Sequence, residues 1–216
     1  MGDITFSSSK LGTKEYWDST YKKELTNYQE TKDIGEVWFG HNCVSRIVTW
    51  LKSNTLVDFT GSILDIGCGN GFLLLELASQ GYKDLKGIDY SEDAINLAKS
   101  IAKDEKHDIK YEVVDVLTPH LSPSNHYDVC LDKGTFDAIS LSPSETEVKK
   151  EIYVQNVHSF LKVGGIFILA SCNWTEDEVK EQFKKGFLLL ERIPTPTFTF
   201  GGVQGNRETI LVLQKT

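Results

Sequence analysis

Residues 63–71 read Ile63-Leu64-Asp65-Ile66-Gly67-Cys68-Gly69-Asn70-Gly71, an apolar run of strand length that breaks into alternate glycines and then opens a helical pattern. Such a stretch predicts a buried strand, a tight turn and the start of a helix. Glycine lets the backbone turn sharply and lets a ligand approach main-chain atoms that any Cβ would cover. The dinucleotide fingerprint GxGxxG needs a third glycine at position 72, where the chain has Phe72. The glycines fall instead at 67, 69 and 71, which disfavours a pyrophosphate cradle and a nicotinamide dehydrogenase.

Outward from this stretch, short apolar runs alternate with helical patterns, the mark of βαβ units and a parallel sheet buried on both faces. Strands are expected near Ser62–Ile66, Leu85–Asp89, Lys110–Val114, Tyr127–Leu131 and Ile166–Ala170, with helices near Gly71–Ser79, Ser91–Lys103 and Glu145–Leu161. Val163-Gly164-Gly165 reads as the turn before the fifth strand. Thr175–Lys184 then reads as a polar helix, while Gly186–Arg192 and Glu208–Gln214 read as a terminal antiparallel pair joined by the long segment Ile193–Asn206. A connection of that length is uncommon without a purpose. Upstream, the stretch from Lys14 to Phe39 is rich in Trp and Tyr, and Val44, Ile47, Val48 and Leu51 share one helical face. The expected organisation is one α/β domain over 1–216, a helical cap at 1–55 on a doubly wound core at 56–216.

Composition narrows the function. The chain has 216 residues, 23 Lys and Arg against 31 Asp and Glu, a net charge of −8 and 40% hydrophobic residues. That acidic balance argues against nucleic acid as the main partner, because phosphate neutralisation needs clustered basic residues. No run approaches the ~18 apolar residues of a membrane span, and the start MGDITFSSSK lacks the basic head and apolar core of a signal peptide. An intracellular, cytoplasmic chain is expected, with nuclear presence left open, acting as a monomer away from membranes. Cys43, Cys68, Cys130 and Cys172 lie far apart without a CxxC pair, and no two of the five His stand at HExxH spacing. Reduced thiols and no metal are the expectation.

Three consecutive strand ends then offer a nucleoside site. Gly67 and Gly69 follow the first strand, and Asp89 and Tyr90 end the second. Asp89 comes about 20 residues after the first glycine, the distance at which an acid receives the ribose hydroxyls of an adenosine ligand. Asp115, at the end of the third strand, is placed to accept from an adenine amino group with Val116 beside it.

The set ILDIGCGNG, GIDYS, VVDV and YDVCLDKGTFD, followed by LKVGG, resembles the seven-β-strand S-adenosylmethionine methyltransferases over Ser62 to Thr216. DKGTFD, spanning Asp132 to Asp137, is similar to the variant in protein-lysine methyltransferases acting on elongation factor 1-alpha, as are the N-terminal stretch Leu11 to Tyr21 and Val37-Trp38-Phe39-Gly40. The resemblance implies a Rossmann-like seven-stranded sheet of order 3-2-1-4-5-7-6 with strand 7 antiparallel. It also implies S-adenosyl-L-methionine as cofactor, a ligand beyond the strand ends, and a basic translation factor as the protein substrate of an acidic enzyme. In related families a Trp and a Tyr spaced like Trp17 and Tyr21 lie against the cofactor's methionine end; packing into the core is the competing expectation here.

Within that frame Asp132, at the end of the fourth strand, is the first candidate for positioning a substrate amine, and it also stands among the expected cofactor contacts. Asn173 and Trp174 are candidate lip residues, and Phe198 and Phe200 candidate members of a substrate rim. Lys133 has no role in this scheme and is expected at the surface. A methyltransferase for a small molecule or another protein group, and a non-catalytic adenosine-binding scaffold, stay open as alternatives.

Overall fold

Successive side chains of a strand point to opposite faces of its sheet, so each central strand divides its apolar residues between two layers. In the computed structural model, which describes residues 7–121, 125–200, 203–206 and 208–216, that division is clean. Ile63, Val129, Leu131, Ile168, Ile210 and Val212 enter one core. Their neighbours Leu64, Cys130, Phe167, Leu169, Leu211 and Leu213 enter the other.

After a 3₁₀ turn at Lys10–Gly12 come α1 (Lys14–Thr31) and α2 (Gly40–Ser53). The βαβ region follows: β1 (Ile63–Ile66), α3 (Phe72–Ser79), β2 (Leu85–Asp89), α4 (Glu92–Asp104) and β3 (Lys110–Val113). The second half contains β4 (Tyr127–Lys133), α5 (Thr135–Ser140), α6 (Thr146–Phe160), β5 (Leu161–Ser171) and α7 (Glu176–Phe183). The chain ends with β6 (Phe187–Ile193), β7 (Thr197–Phe200), β8 (Val203–Asn206) and β9 (Thr209–Lys215).

The main sheet runs β3-β2-β1-β4-β5-β9-β6. Strands β1 to β5 pair in parallel, and β9 lies antiparallel between β5 and β6. Counting only the strands of this sheet, the order is 3-2-1-4-5-7-6 with the seventh reversed, as the resemblance implied. The long segment Ile193–Asn206 is no plain connection: β7 and β8 pair within it as a separate antiparallel hairpin. The side chains of Phe198 and Phe200, together with Gly201 and Gly202, lie outside the described residues.

Two local readings change. Val163-Gly164-Gly165 sits inside β5 rather than before it. The pairing with β4 jumps from Tyr127–Leu161 to Val129–Ile166, and Gly164 takes φ +75° to absorb the shift. The second change is α5, a helix that the strand-and-helix pattern does not announce. Gly134 turns the chain at φ +96°, and the Asp132 carboxylate accepts from the N–H of Thr135 at 2.8 Å and of Phe136 at 2.9 Å. These are donors that a helix start leaves without intrahelical partners. The Tyr153 hydroxyl of α6 donates to the same carboxylate.

Asp132 is therefore fully buried in the interior of the fold. Burial pushes it up to about 7, against the pull of the Tyr153 hydroxyl and the two N–H groups. The expectation that it reaches a substrate amine is corrected, because its oxygens are taken by the start of α5 and by α6.

The N-terminal segment contributes to one of the two cores. Helix α2 buries Cys43, Val44, Ile47, Val48, Trp50 and Leu51 in the same cluster as Ile63. Helix α1 lies on α4, where the Tyr28 hydroxyl and Lys32 ammonium both donate to Asp104, at 2.8 and 2.7 Å.

Replacing Asp132 with Ala strands a buried hydroxyl and two N–H groups. The expected cost is roughly 3 kcal/mol, a fall in melting temperature of roughly 6–12 °C. Thermal unfolding followed by circular dichroism measures it, and an unchanged midpoint would remove the capping role.

Candidate functional site

The carboxyl ends of the parallel strands open into one cavity of about 410 Å³. Each strand delivers a piece of its wall. From β1 come Gly67, Cys68, Gly69 and Asn70; from β2, Asp89 and Tyr90; after β3, Val114 and Val116. Lys133, Gly134 and Thr135 follow from β4, and Cys172 and Asn173 from β5. In open α/β sheets this crevice is where ligands bind.

The glycine turn is tight for a reason that can be measured. Gly67 and Gly69 have φ of +69° and +54°. A Cβ on Gly67 would stand 2.0 Å from Thr135 Oγ1, and one on Gly69 would stand 2.4 Å from the Tyr21 hydroxyl. Thr135 Oγ1 instead donates to the Ile66 carbonyl at 2.8 Å, locking the start of α5 onto the end of β1.

Asp89 holds this turn to its neighbour. One carboxylate oxygen accepts from Gly69 N–H at 3.0 Å and the other from Ser91 N–H at 2.9 Å. An ionised carboxylate offers about four acceptor positions, so both oxygens keep capacity for hydroxyl donors from the cavity. Burial pushes Asp89 up to about 6, opposed by those two N–H groups and by Lys14. The Lys14 ammonium lies 4.3 Å above the ring of Tyr90, closing this end from α1.

Residues from the N-terminal segment roof the opposite wall. Leu11, Trp17, Tyr21, Glu36, Trp38 and Phe39 all line the cavity. Trp17 donates from its indole to the Leu11 carbonyl at 2.7 Å, stacks on Tyr21 at 6.0 Å and meets Trp38 edge-on at 4.8 Å. The two competing expectations for Trp17 and Tyr21 thus coincide: both pack against the core and both face the cavity. Burial, and next the Asp89 carboxylate, push the Tyr21 hydroxyl well up, so it stays a neutral donor at working pH.

Several sequence-based placements move. Asp115 is exposed, outside the cavity lining, and its carboxylate accepts from Leu117 N–H at 2.9 Å in a local turn. Its neighbours Val114 and Val116, one on each side, turn inward instead. Trp174 is buried beside Phe136 and donates to the Ser140 hydroxyl at 3.1 Å, whereas Asn173 does reach the cavity. Asp132 lies beneath the lining.

Lys133, expected at the surface, enters the cavity wall and donates to the Trp38 carbonyl at 3.0 Å. Burial lowers its pKa, while Asp65 pulls it back up. Asp137, unassigned from sequence, lines the wall too, accepting from the Ser171 hydroxyl at 2.5 Å and the Cys172 N–H at 2.7 Å. Both residues stand in DKGTFD, but a sequence gives no sign of which way a strand-end side chain turns.

This arrangement has close relatives. Residues 58–210 match the family model described as a methyltransferase domain. The chain belongs to that methyltransferase family. Over 98% of the methyltransferase and 90% of the relative, it is 46% identical to EEF1A lysine methyltransferase 2 of Danio rerio. It is 45% identical to the Homo sapiens protein of that name over 99% and 90%. Identity to protein-lysine N-methyltransferase efm4 of Schizosaccharomyces pombe is 40%, over 95% and 94%.

Among solved structures, the magnesium protoporphyrin IX methyltransferase of Synechocystis aligns with a TM-score of 0.67 at 19% identity, covering 98% of this methyltransferase and all of that chain. The N-methyltransferase NodS of Bradyrhizobium japonicum aligns at 0.65 and 17%, covering 92% and 98%. These two likenesses speak for the fold.

The cradle fits S-adenosylmethionine by its chemistry: a buried carboxylate for vicinal hydroxyls, apolar Ile88, Val114 and Val116 for a purine face, and Cβ-free backbone beside them. Hydroxyl donors favour ionised Asp89, so affinity for S-adenosylmethionine should be flat above pH ~6 and fall by at most about tenfold per unit below it. Asp89→Asn should weaken binding roughly ten- to hundredfold at pH 8 and abolish that acid limb. Calorimetry across pH 5–8 reads both, and an acid limb persisting in the variant would exclude Asp89 as its source.

Proposed function

We propose that the methyltransferase transfers a methyl group from S-adenosyl-L-methionine to a lysine side chain of translation elongation factor 1-alpha. The observation that carries this reading is identity of 45–46% across at least 98% of the chain with proteins named EEF1A lysine methyltransferase 2, which takes in the aromatic N-terminal roof as well as the strand ends.

In this reading Asp89 receives the ribose hydroxyls with Tyr90 beside it, and Ile88, Val114 and Val116 offer the adenine an apolar face. Gly67 and Gly69 give backbone to the methionine end, where Trp17 and Tyr21 close the roof. When bound, S-adenosylmethionine supplies a methyl on a sulfonium, open to in-line displacement by a neutral amine. The residues of this chain then have to bring that amine in line and strip its proton.

A lysine has a reference pKa of ~10.4, so presenting it neutral at pH 7 costs roughly 4–5 kcal/mol. Glu36 is exposed at the rim and attracts the incoming ammonium. Trp38 and Phe39 then replace its water, and desolvation favours the neutral form. Asp137 also lines the wall, and its oxygens hold the Ser171–Cys172 turn, which carries Asn173 into the cavity. Proton loss goes to water in this reading, because a carboxylate beside the amine favours its charged form and would oppose deprotonation. Action as a monomer in the cytoplasm, on a translation factor, goes with this reading.

The test is incubation of the purified chain and isotopically labelled S-adenosylmethionine with elongation factor 1-alpha, followed by mass spectrometry of the factor's peptides. Label on a lysine of the factor is expected. Label confined to small molecules of a cell lysate would replace the substrate.

A further inference from the structure

The connector between α1 and α2, residues 32–39, passes over the cavity with little secondary structure of its own. It is strapped down by side chains from the functional turns. Asn70 of the glycine turn donates to the carbonyls of Ile34 at 3.0 Å and Glu36 at 3.3 Å. Glu24 of α1 accepts from Glu36 N–H at 3.3 Å. At the far end, Lys133 donates to the Trp38 carbonyl at 3.0 Å.

The last strap is the unusual one. A lysine in the wall of a cavity gives up much of its hydration, a cost usually met by pairing with a carboxylate. Among the described residues Lys133 has no ion pair, and its recorded hydrogen bond goes to the backbone of the connector. What it holds there is strained. Phe39 takes φ +65°, a conformation that bulky side chains rarely adopt. Its ring lies over Gly134, 3.1 Å from where a Cβ would stand, a closer approach than ordinary packing. The Lys133 ammonium is 6.0 Å from the centre of that ring. Trp38, one residue earlier, meets Trp17 edge-on. One side chain from the end of β4 thus fixes the two aromatic residues of the connector that face the cavity.

We propose that Lys133 is a positioning residue for methyl transfer: its hydrogen bond to the Trp38 carbonyl holds the Trp38–Phe39 turn as the wall along which the acceptor amine is aligned. The proposal rests on the protein-lysine methyltransferase reading. It assigns Lys133 no contact with the reacting atoms. The adenosine end of the cavity, formed by Asp89, Val114 and Val116, is built without Lys133. Loss of the strap should therefore separate catalysis from cofactor binding.

Lys133→Met keeps the aliphatic stem and removes the donor. Hydrogen exchange of residues 36–40 should quicken roughly tenfold or more in the ligand-free variant, as expected for local opening of a segment held by few hydrogen bonds. With elongation factor 1-alpha, kcat should fall roughly ten- to hundredfold, the scale of a small misalignment. The Kd for S-adenosylmethionine should rise by a smaller factor than kcat falls, because the Asp89 hydrogen bonds that set the adenosine end are made without Lys133. Lys133→Arg, which retains a donor and a charge, should restore part of both protection and kcat.

Unchanged exchange at 36–40, an unchanged kcat, or an Arg variant as impaired as the Met variant would each overturn the proposal. A wild-type chain that transfers no methyl to the factor would refute the substrate alone. The exchange comparison would still decide the strap. Should Lys133→Met fail to fold, Lys133→Gln shortens the side chain and removes the charge: quickened exchange at 36–40 with a loss of kcat supports the proposal, and retained protection or a retained kcat overturns it.

Discussion

The carboxylate of Asp89 ties together the two turns from which the cavity is made. Each of its oxygens accepts from a backbone N–H, one on the glycine turn after β1 and one at the cap of α4. Those turns leave adjacent strands, so a single side chain sets their separation. The same group remains a buried acceptor facing the cavity. Burial raises its pKa, and the two N–H groups restrain the rise. Structure and ligand recognition therefore draw on one carboxylate, and each limits how the other can change.

The other acids at the strand ends divide their labour by direction. Asp132 turns inward and caps α5, and it also accepts from the Tyr153 hydroxyl. Asp137 turns sideways and fixes the turn after β5. Asp65 is buried beneath them and pushed up to about 7, with Lys133 as its main electrostatic relief. An acid-rich floor gives a half-buried lysine a favourable field without a direct pair. That field explains why Lys133 can point into the wall and still spend its donor on the connector.

The N-terminal segment completes the cavity rather than merely covering it. The strands supply a floor suited to a nucleoside, a feature common to many proteins of this fold, while the roof from Leu11 to Phe39 is built from Trp17, Tyr21, Trp38 and Phe39. Its closeness is measurable at Gly69, where even a methyl group would collide with the Tyr21 hydroxyl. Roof and glycine turn are thus fitted to each other atom by atom.

The sheet was legible in the sequence because its central strands are buried on both faces. Apolar runs such as Ile166–Ala170, and Ile63–Ile66 with only Asp65 interrupting, spaced by helical patterns, leave few other ways to hide that surface. The glycine turn and Asp89 were legible for a related reason: backbone geometry and strand-end position follow directly from chain order. Side-chain direction at the ends of β3 and β4 was not. Asp115 turned out to solvent while Val114 and Val116 turned in, and Asp132 turned down while Lys133 reached across to a carbonyl 95 residues away in sequence. Local pattern encodes what must be buried and where the chain must bend. Which partner a strand-end polar group finds depends on segments brought together only when the sheet closes and α1, α2 and their connector settle over it.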